Sequence, residues 1–289
     1  MESILKILTL GRASCDYLQD DIYHGLKSLL GTDVESNVNF DYLYKDCSQD
    51  IQHMYGRGFS YARNLDPSLR HVATDMLDKA LDGYYDVIIY LSVRRCDTHL
   101  ETLIEKIPEK VIVCDGEDDN NVPVFAKAVR TFKRELLEAP TASLFPISFA
   151  IPEEKIVLPP FKDKVKELGA QIPGPAHNRG YIFTREEDYY HDYQISKYGL
   201  TFKKWGWDCK RHYEILCNRC IPLFEKIDDC PPHIMTNFPK KLISEIEKTH
   251  KTASNATYDA WLEELYAYTK EHLTTKTLAK YVLESGLKG

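Results

Sequence analysis

The chain has 289 residues, of which 43% are hydrophobic and 11% aromatic, values typical of a globular protein with room for two domains. No stretch approaches the roughly 20 consecutive apolar residues that span a bilayer, and no basic segment followed by an apolar one opens the sequence, so we expect neither a membrane span nor a secretory signal. The formal net charge is −7, and residues 1–148 hold 16 basic against 24 acidic side chains, which makes that half a poor general surface for nucleic acid.

Apolar strands and helical segments alternate along the first half of the chain. Residues 4–10 and 87–91 are apolar runs, and the second is so uniformly apolar that it fits the centre of a parallel sheet. Residues 16–30 repeat leucine and isoleucine at helical spacing before Gly31. Another strand is predicted at residues 111–114, and helices at residues 69–81 and 98–107. This alternation predicts a Rossmann-like α/β domain over residues 1–148.

A proline-rich segment at residues 140–160 interrupts the alternation, and we interpret it as the connection to a second domain, residues 149–289. The patterns of that domain predict strands at residues 181–183 and 200–202 and helices at residues 189–197, 258–269 and 274–287. Two facing Rossmann-like domains would bind a ligand at the carboxyl ends of their strands, in the cleft between them.

An acidic cluster at residues 115–119 follows the third predicted strand and is therefore expected at the carboxyl edge of the sheet. Asp115 lies nearest to the strand and could be a general base for an acceptor hydroxyl, with Glu117 as a second catalytic carboxylate. The cluster could instead bind a divalent cation or form a solvated acidic turn.

Two further loops are expected at the same edge of the sheet. Arg12 and Asp16 follow the first strand, and Arg94 and Arg95 follow the central strand. We interpret the four residues as candidate contacts to an acceptor. The alternatives are a polar loop with a helix cap for the first pair and simple pairing with the acidic surface for the second.

The stretch of residues 200–224 is predicted to form a strand, a loop turned by Gly206, a helix and another strand. Asp208 is a suitable N-cap, because its carboxylate can accept hydrogen bonds from the free amides of the first turn. Those amides and the helix dipole favour a phosphate at this point, and Lys203 and Lys204 add positive charge.

The helix itself carries groups that suit a nucleotide diphosphate. Arg211 and Glu214 are three residues apart and share a helix face, so a cation for phosphate lies beside a carboxylate for ribose hydroxyls. Trp207 could stack on a base or a sugar, with core packing as the alternative. His212 lies between the two charged residues.

Residues 206–216 read Gly-Trp-Asp-Cys-Lys-Arg-His-Tyr-Glu-Ile-Leu, and residues 220–222 read Cys-Ile-Pro. This pattern resembles the donor-site helix and following strand of GT-B glycosyltransferases, most closely a group of bacterial and viral members. The resemblance implies two facing Rossmann-like domains, with C-terminal helices that pack back toward the first, acceptor-binding domain. It also implies transfer of a sugar from a nucleotide-diphosphate sugar, with a uridine diphosphate sugar favoured, to a saccharide hydroxyl. The second choice of acceptor is a hydroxymethylated base in phage DNA.

The resemblance further assigns roles to residues of this chain. Arg211 would stabilise the leaving phosphate and Glu214 would contact the ribose. No metal ion or other cofactor is then obligatory, although a divalent cation could take part. The expected location is the cytoplasm of a bacterium or of a virus-infected host cell. The donor site would comprise Lys203, Lys204, Gly206, Trp207, Asp208, Arg211, His212 and Glu214.

Two departures from the family pattern motivate an alternative function. Arg219 replaces the usual glycine after the helix, and Gly206 occupies the position of the first glutamate of a Glu-x7-Glu pattern. The alternative is a nucleotide or sugar-nucleotide binding protein without turnover. The eight cysteines show no tight pairing, which predicts reduced thiols, with a zinc site at Cys217 and Cys220 as the competing interpretation.

Overall fold

The computed structural model describes residues 5–158, 164–171 and 182–287, which form two parallel β-sheets surrounded by helices. The first sheet has six strands in the order β2-β1-β3-β4-β5-β6, and the second has three in the order β7-β8-β9. The strands are β1 Ile7–Leu10, β2 Val34–Ser36, β3 Val87–Tyr90, β4 Val111–Asp115, β5 Arg130–Lys133, β6 Leu144–Pro146, β7 Lys166–Leu168, β8 Ser196–Phe202 and β9 Ile221–Glu225. The helices are α1 Tyr17–Leu30, α2 Met76–Leu81, α3 Leu100–Lys106, α4 Glu186–Gln194, α5 Lys210–Cys217, α6 Lys240–Thr249, α7 Asn255–His272 and α8 Thr275–Leu287.

The six-stranded parallel sheet with its helices is a mixed α/β arrangement, compatible with the Rossmann-like fold predicted for the first half of the chain. Strands β1 and β3 are neighbours and pair in parallel, while β2 lies on the far side of β1. The chain therefore adds β2 on one side of β1 and β3 on the other. The loops that follow β1 and β3 consequently lead away from each other. Sheets of this type bind ligands in the crevice that such a switch point opens at the carboxyl edge.

The sheet extends further along the chain than the sequence predicted. Strands β5 and β6 lie within or next to the segment that we interpreted as a connection, and they continue the parallel pairing after β4. Their short length and charged ends hide the strand pattern: β5 begins at Arg130 and ends at Lys133. Pro146 is tolerated because β6 is the edge strand of the sheet, where a missing amide removes no ladder hydrogen bond.

Two predicted elements of the chain take a different form. Within residues 69–81 only α2 is an α-helix, because Ser36 at the end of β2 forms backbone hydrogen bonds with His71 and Ala73 and holds this part of the chain extended. The strand predicted at residues 181–183 is wrong for Ile182 and Phe183, which lie outside any strand, and Tyr181 is outside the described residues. The third strand of the second sheet is β7, a three-residue segment with no recognisable pattern.

The last helix packs beside the first sheet. Helix α8 packs against α1 so closely that a Cβ atom on Gly25 would lie 2.0 Å from the carbonyl oxygen of Thr275. His24 Nδ1 lies 2.8 Å from Thr275 Oγ1, and Tyr281 donates to the carbonyl of Pro146 at 2.8 Å. One buried apolar cluster contains residues of both sheets. The division of the chain near residue 148 stays a prediction.

Among the helices of the described residues, none combines the length and the apolar character needed to cross a membrane.

Candidate functional site

A cleft opens where the carboxyl edge of the six-stranded sheet faces the loop that leads into α5. Its cavity measures about 270 Å³ and lies beside the loops that follow β1, β3 and β4. The position matches the switch point between β1 and β3. The predicted site residues that line the cleft are Asp16, Arg95, Glu117, Lys204, Gly206, Asp208 and Arg211.

Arg95 organises the sheet side of the cleft. Its Nε atom lies 2.8 Å from Glu117 Oε1 and 3.3 Å from Asp16 Oδ2. The hydrogen bond from Arg95 lowers the pKa of Glu117, so this carboxylate is ionised at neutral pH. Asp16 also caps α1 by accepting from the amides of Leu18 and Gln19. The predicted contacts Asp16 and Arg95 are therefore one network with the predicted catalytic residue Glu117.

Asp115 and Arg94 lie beneath this network and do not line the cleft. The Asp115 side chain is fully buried, with Arg94 Nε at 2.8 Å and Lys133 Nζ at 3.6 Å. It also accepts from the amide of Glu117 at 3.1 Å, which fixes the turn that presents Glu117. Arg94 is further bound to Asp119 at 2.7 Å. Of the two predicted catalytic carboxylates, Glu117 is the one that the fold exposes to the cleft.

Arg12 lies outside the cleft as well. Its side chain is exposed at the surface, and its backbone amide donates to Gln19 Oε1 at 2.9 Å.

In the described residues, no group of three or more histidine, cysteine, aspartate or glutamate side chains is arranged to bind a metal ion. All eight cysteines are free thiols, and both Cys217, the last residue of α5, and Cys220, just before β9, are buried.

The prediction that Asp208 caps α5 is wrong. The residue at the N-cap is Cys209, and Asp208 instead accepts from the amide of Phe149 at 2.7 Å and from the hydroxyl of Tyr213 at 2.9 Å. These long-range partners draw the carboxylate under the loop, away from the first-turn amides. Burial raises the pKa of Asp208 to about 7, and the nearby Arg134 opposes that rise.

This raised pKa predicts a pH-dependent stability. Between about pH 4 and pH 7 the folded protein retains a proton on Asp208 that the unfolded chain has released, so the free energy of unfolding falls as the pH rises. We expect Asp208→Asn, which cannot ionise, to lose this part of the pH dependence. Urea unfolding of both proteins across that range measures the difference, and parallel curves would contradict the assignment.

An internal carboxylate occupies two amides of the loop that leads into α5, next to the helix N-terminus where phosphate was predicted to bind. The amides of Trp207 and Asp208 both donate to Glu135, each at 3.0 Å. Glu135 is buried and lies 3.1 Å from Arg134 Nη1. Sequence reasoning missed this pair because β5, which Arg134 directly follows, was not predicted. The available signal was a pair of opposite charges, Arg-Glu, directly before the apolar Leu136.

Arg134 contacts three segments that border the cleft, namely those that follow β4, β6 and β8. Its guanidinium donates to the carbonyls of Gly116 and Asp208, each at 2.8 Å, and binds the carboxylate of Asp118. The same group lies 4.5 Å from the centre of the Phe149 ring. Because Arg134 is almost fully buried, these contacts fix the relative positions of the loops after β4 and β8.

Gly206 is needed because acidic side chains approach it closely. A Cβ atom there would lie 2.6 Å from Glu135 Oε1 and 2.8 Å from Asp118 Oδ1, too close for the loop to stay in place. We expect Gly206→Ala to lower the free energy of unfolding by about 1–3 kcal/mol, the usual effect of overpacking. Chemical denaturation measures the change, and an unchanged midpoint would mean that the loop adapts without strain.

Three of the residues predicted to contact the donor, Lys203, Trp207 and His212, make contacts within the protein, in or next to the loop between β8 and α5. His212 is fully buried, accepts from Thr201 Oγ1 at 2.9 Å and donates to the carbonyl of Trp207 at 2.8 Å. Burial lowers the pKa of His212 to about 3, so the ring is neutral. Trp207 stacks on Phe224, and Lys203 lies 5.4 Å from the Trp207 ring. None of these three residues is among those that line the cleft in the described part of the chain.

Glu214 is buried and faces hydroxyl groups of the protein itself. Its carboxylate accepts from the hydroxyl of Ser60 and from Tyr189 at 2.7 Å. Tyr190 donates to Ser60 Oγ at 2.9 Å, and the amide of Ser60 donates to Glu186 at 2.6 Å. Glu214 was expected to accept hydrogen bonds from ribose hydroxyls. In the structure it accepts them from hydroxyl groups of the protein instead.

Lys204 and Arg211 supply the positive charge that faces the cleft from the second sheet. Burial lowers the pKa of Lys204, and the charge of Arg211 lowers it further.

Arg219 stands where the family pattern has glycine, yet its backbone keeps the conformation that glycine favours. Its φ angle is 51°, in the left-handed region. Arg219 also forms an ion pair with Glu263.

Aromatic rings form another wall of the cleft. Tyr17 lies 5.7 Å from Phe149 and 6.2 Å from Tyr55, measured between ring centres. Trp205 is 89% exposed and lines the mouth of the cleft. Exposed aromatic faces beside cations can hold a flat, apolar ring together with a charged group.

The chain is thus an α/β protein with a cleft at the switch point of a parallel sheet, lined by charged and aromatic side chains. No protein-family model matches the chain, and no curated protein matches its sequence.

Proposed function

We propose that the protein is a glycosyltransferase that uses a nucleotide-diphosphate sugar, with a uridine diphosphate sugar as the favoured donor. The observation that carries the proposal is the convergence of Arg95 and Glu117 with Lys204 and Arg211 in one cleft at the switch point. Cations on one side and a carboxylate on the other are the groups that transfer from a diphosphate to a hydroxyl requires.

Each side of the cleft has a role in this proposal. Lys204 and Arg211 bind the diphosphate, and the rings of Tyr55 and Trp205 stack on the base or the sugar. Glu117 accepts the proton of the acceptor hydroxyl as its oxygen bonds to the sugar carbon. The bond from that carbon to the diphosphate breaks, and Arg211 offsets the charge that develops on the leaving group.

The cleft favours a saccharide as the acceptor over a base in DNA. The carboxylates of Asp16, Glu117 and Asp118 at this edge would repel a phosphate backbone. Hydroxyl groups of a sugar can instead donate to these carboxylates.

A binding protein without turnover is the second candidate, and two contacts favour it. Glu135 occupies the amides of Trp207 and Asp208, and Ser60 and Tyr189 occupy the carboxylate of Glu214. A donor would have to bind without these groups or displace their partners.

Binding and turnover measurements separate the candidates. We expect nucleotide-diphosphate sugars to raise the melting temperature, since a ligand at 100 times its dissociation constant adds about 2.7 kcal/mol of stability. Release of nucleoside diphosphate in the presence of a saccharide would establish transfer. Arg211→Gln should weaken both effects, whereas Arg12→Gln, outside the cleft, is the matched control. Binding without release would favour the second candidate, and no binding would contradict both.

A further inference from the structure

A groove with a volume of about 750 Å³ lies between α3 and the short helical turn Val124–Lys127. None of the residues that line it in the described part of the chain also lines the cleft. The groove opens to solvent, because Asp97, Glu101, Glu105 and Val124 on its walls are all exposed. Its surface is therefore accessible to a partner, and it is separate from the site of the proposed reaction.

Apolar side chains contribute to both walls of the groove. Leu100 and Ile104 lie four residues apart on α3, and Val124 and Phe125 belong to the other wall. Phe125 packs against the buried apolar cluster that includes Leu100, whereas Val124 is 94% exposed. Because covering an exposed apolar side chain is favourable, this surface is suited to contact with another apolar surface.

Acidic side chains flank the apolar surface of the groove. Asp97 precedes α3, and Glu101 and Glu105 lie four residues apart on that helix. The described lining contains no lysine or arginine, and His99 could offset at most one of the three negative charges. Lys106 Nζ lies 3.5 Å from Glu105, but both side chains are largely exposed, so water screens this pair. The groove is thus negatively charged, and its complement is a cationic surface.

We propose that this groove is a docking site for a basic amphipathic helix of a partner protein. On α3 the apolar row of Leu100 and Ile104 runs beside the acidic row of Glu101 and Glu105. Both rows repeat every four residues, so a helix with apolar and basic residues at the same spacing can contact both rows at once. The apolar contacts supply the affinity, and the ion pairs at the exposed rim set the orientation and speed the association.

Binding of two designed peptides to the full chain, measured by fluorescence anisotropy, tests the proposal. One peptide carries leucine and lysine at helical spacing, and the other has glutamate in place of each lysine. We expect the lysine peptide to bind saturably, and more weakly as the salt concentration rises, and the glutamate peptide not to bind. Val124→Ser should fold normally, because the side chain is exposed, and should weaken binding by about 10-fold, the effect of no longer burying one valine.

Charge reversal separates docking in the groove from general attraction to an acidic protein. Glu101→Lys/Glu105→Lys should weaken binding of the lysine peptide by about 10-fold or more. Glu245→Lys/Glu264→Lys changes the net charge equally at exposed positions outside the groove, so this matched control should bind nearly as the wild type does.

Three results would each overturn the proposal: equal binding of the two peptides, an equal loss in the control and groove variants, or wild-type affinity in Val124→Ser. It is also overturned if sedimentation shows a dimer that Val124→Ser converts to a monomer, because a second copy of the chain would then cover the groove.

Discussion

Replacing Lys210 with methionine should lower the free energy of unfolding by about 3–5 kcal/mol, the effect of breaking a buried ion pair by removing one partner. Lys210 and Asp21 form an ion pair in which both side chains are at most 2% exposed. Lys210 also donates to the carbonyl of Ala150 at 2.6 Å, and Asp21 accepts from the amide of that same residue at 2.9 Å. The pair thus links α5, α1 and the segment between the two sheets.

The size of this effect should depend on pH. Burial raises the pKa of Asp21, and the charge of Lys210 counteracts that rise. Without Lys210 the pKa of Asp21 rises further, so the variant folds with a protonated carboxyl group and loses stability as the pH increases. Urea unfolding at neutral and at acidic pH measures the difference, with a larger loss expected at neutral pH.

The double variant Lys210→Met/Asp21→Asn is the control for this interpretation. Asparagine keeps an oxygen for the Ala150 amide and removes the unpaired charge, so the double variant should recover part of the stability that Lys210→Met loses. If Lys210→Met alone were as stable as the wild type, the ion pair would contribute nothing to the connection between α1 and α5.

Local sequence patterns predicted the centre of the fold better than its edges. Neighbouring residues alone provide the signals for strand β3, for the apolar part of β4 and for the capped helix α1. Strands β5 and β7 have no such signal, because their pairing comes from strands that are already in place. A contact distant in the sequence, the bridge between Ser36 and Val72, likewise overrides the helical pattern of residues 69–81.

The same limit applies to the site. Of the predicted site residues, Asp16, Arg95, Glu117, Lys204 and Arg211 line one cleft. Asp115, Arg94 and Glu214, which were predicted alongside them, are not among the residues that line it. What the sequence could not predict is which polar groups the protein pairs internally. Those pairings connect residues far apart in the chain, and no local pattern records them.

The segment that faces Glu214 shows how much local strain these internal pairings sustain. Arg57, Ser60 and Arg63 have positive φ angles of 59°, 74° and 58°. A non-glycine residue in this region costs about 1–3 kcal/mol and persists where surrounding contacts determine it. The hydrogen bonds of Ser60 to Glu214 and Glu186 are such contacts.

Glu117→Gln should reduce the rate of sugar transfer by about 10²- to 10⁴-fold, the usual contribution of a general base. Glutamine retains an oxygen that can accept from Arg95 Nε, the atom that lies 2.8 Å from Glu117 in the wild type. The fold and the binding of the donor should therefore change little. The lowered pKa of Glu117 also predicts that the acid limb of the wild-type pH–rate profile lies below 4.5, the ordinary value for glutamate.

Asp115→Asn provides the comparison that tests which carboxylate is the base. Asp115 is fully buried beside Arg94 and Lys133, so its neutralisation removes one anionic partner from each of these cations and should lower stability. The folded fraction of this variant should still transfer sugar, because Glu117 remains in the cleft. Rates normalised to the folded fraction, measured with melting curves for both variants, decide the assignment. Loss of transfer in a fully folded Asp115→Asn, together with near-native rates in Glu117→Gln, would move the base to Asp115 and require the loop after β4 to open during turnover.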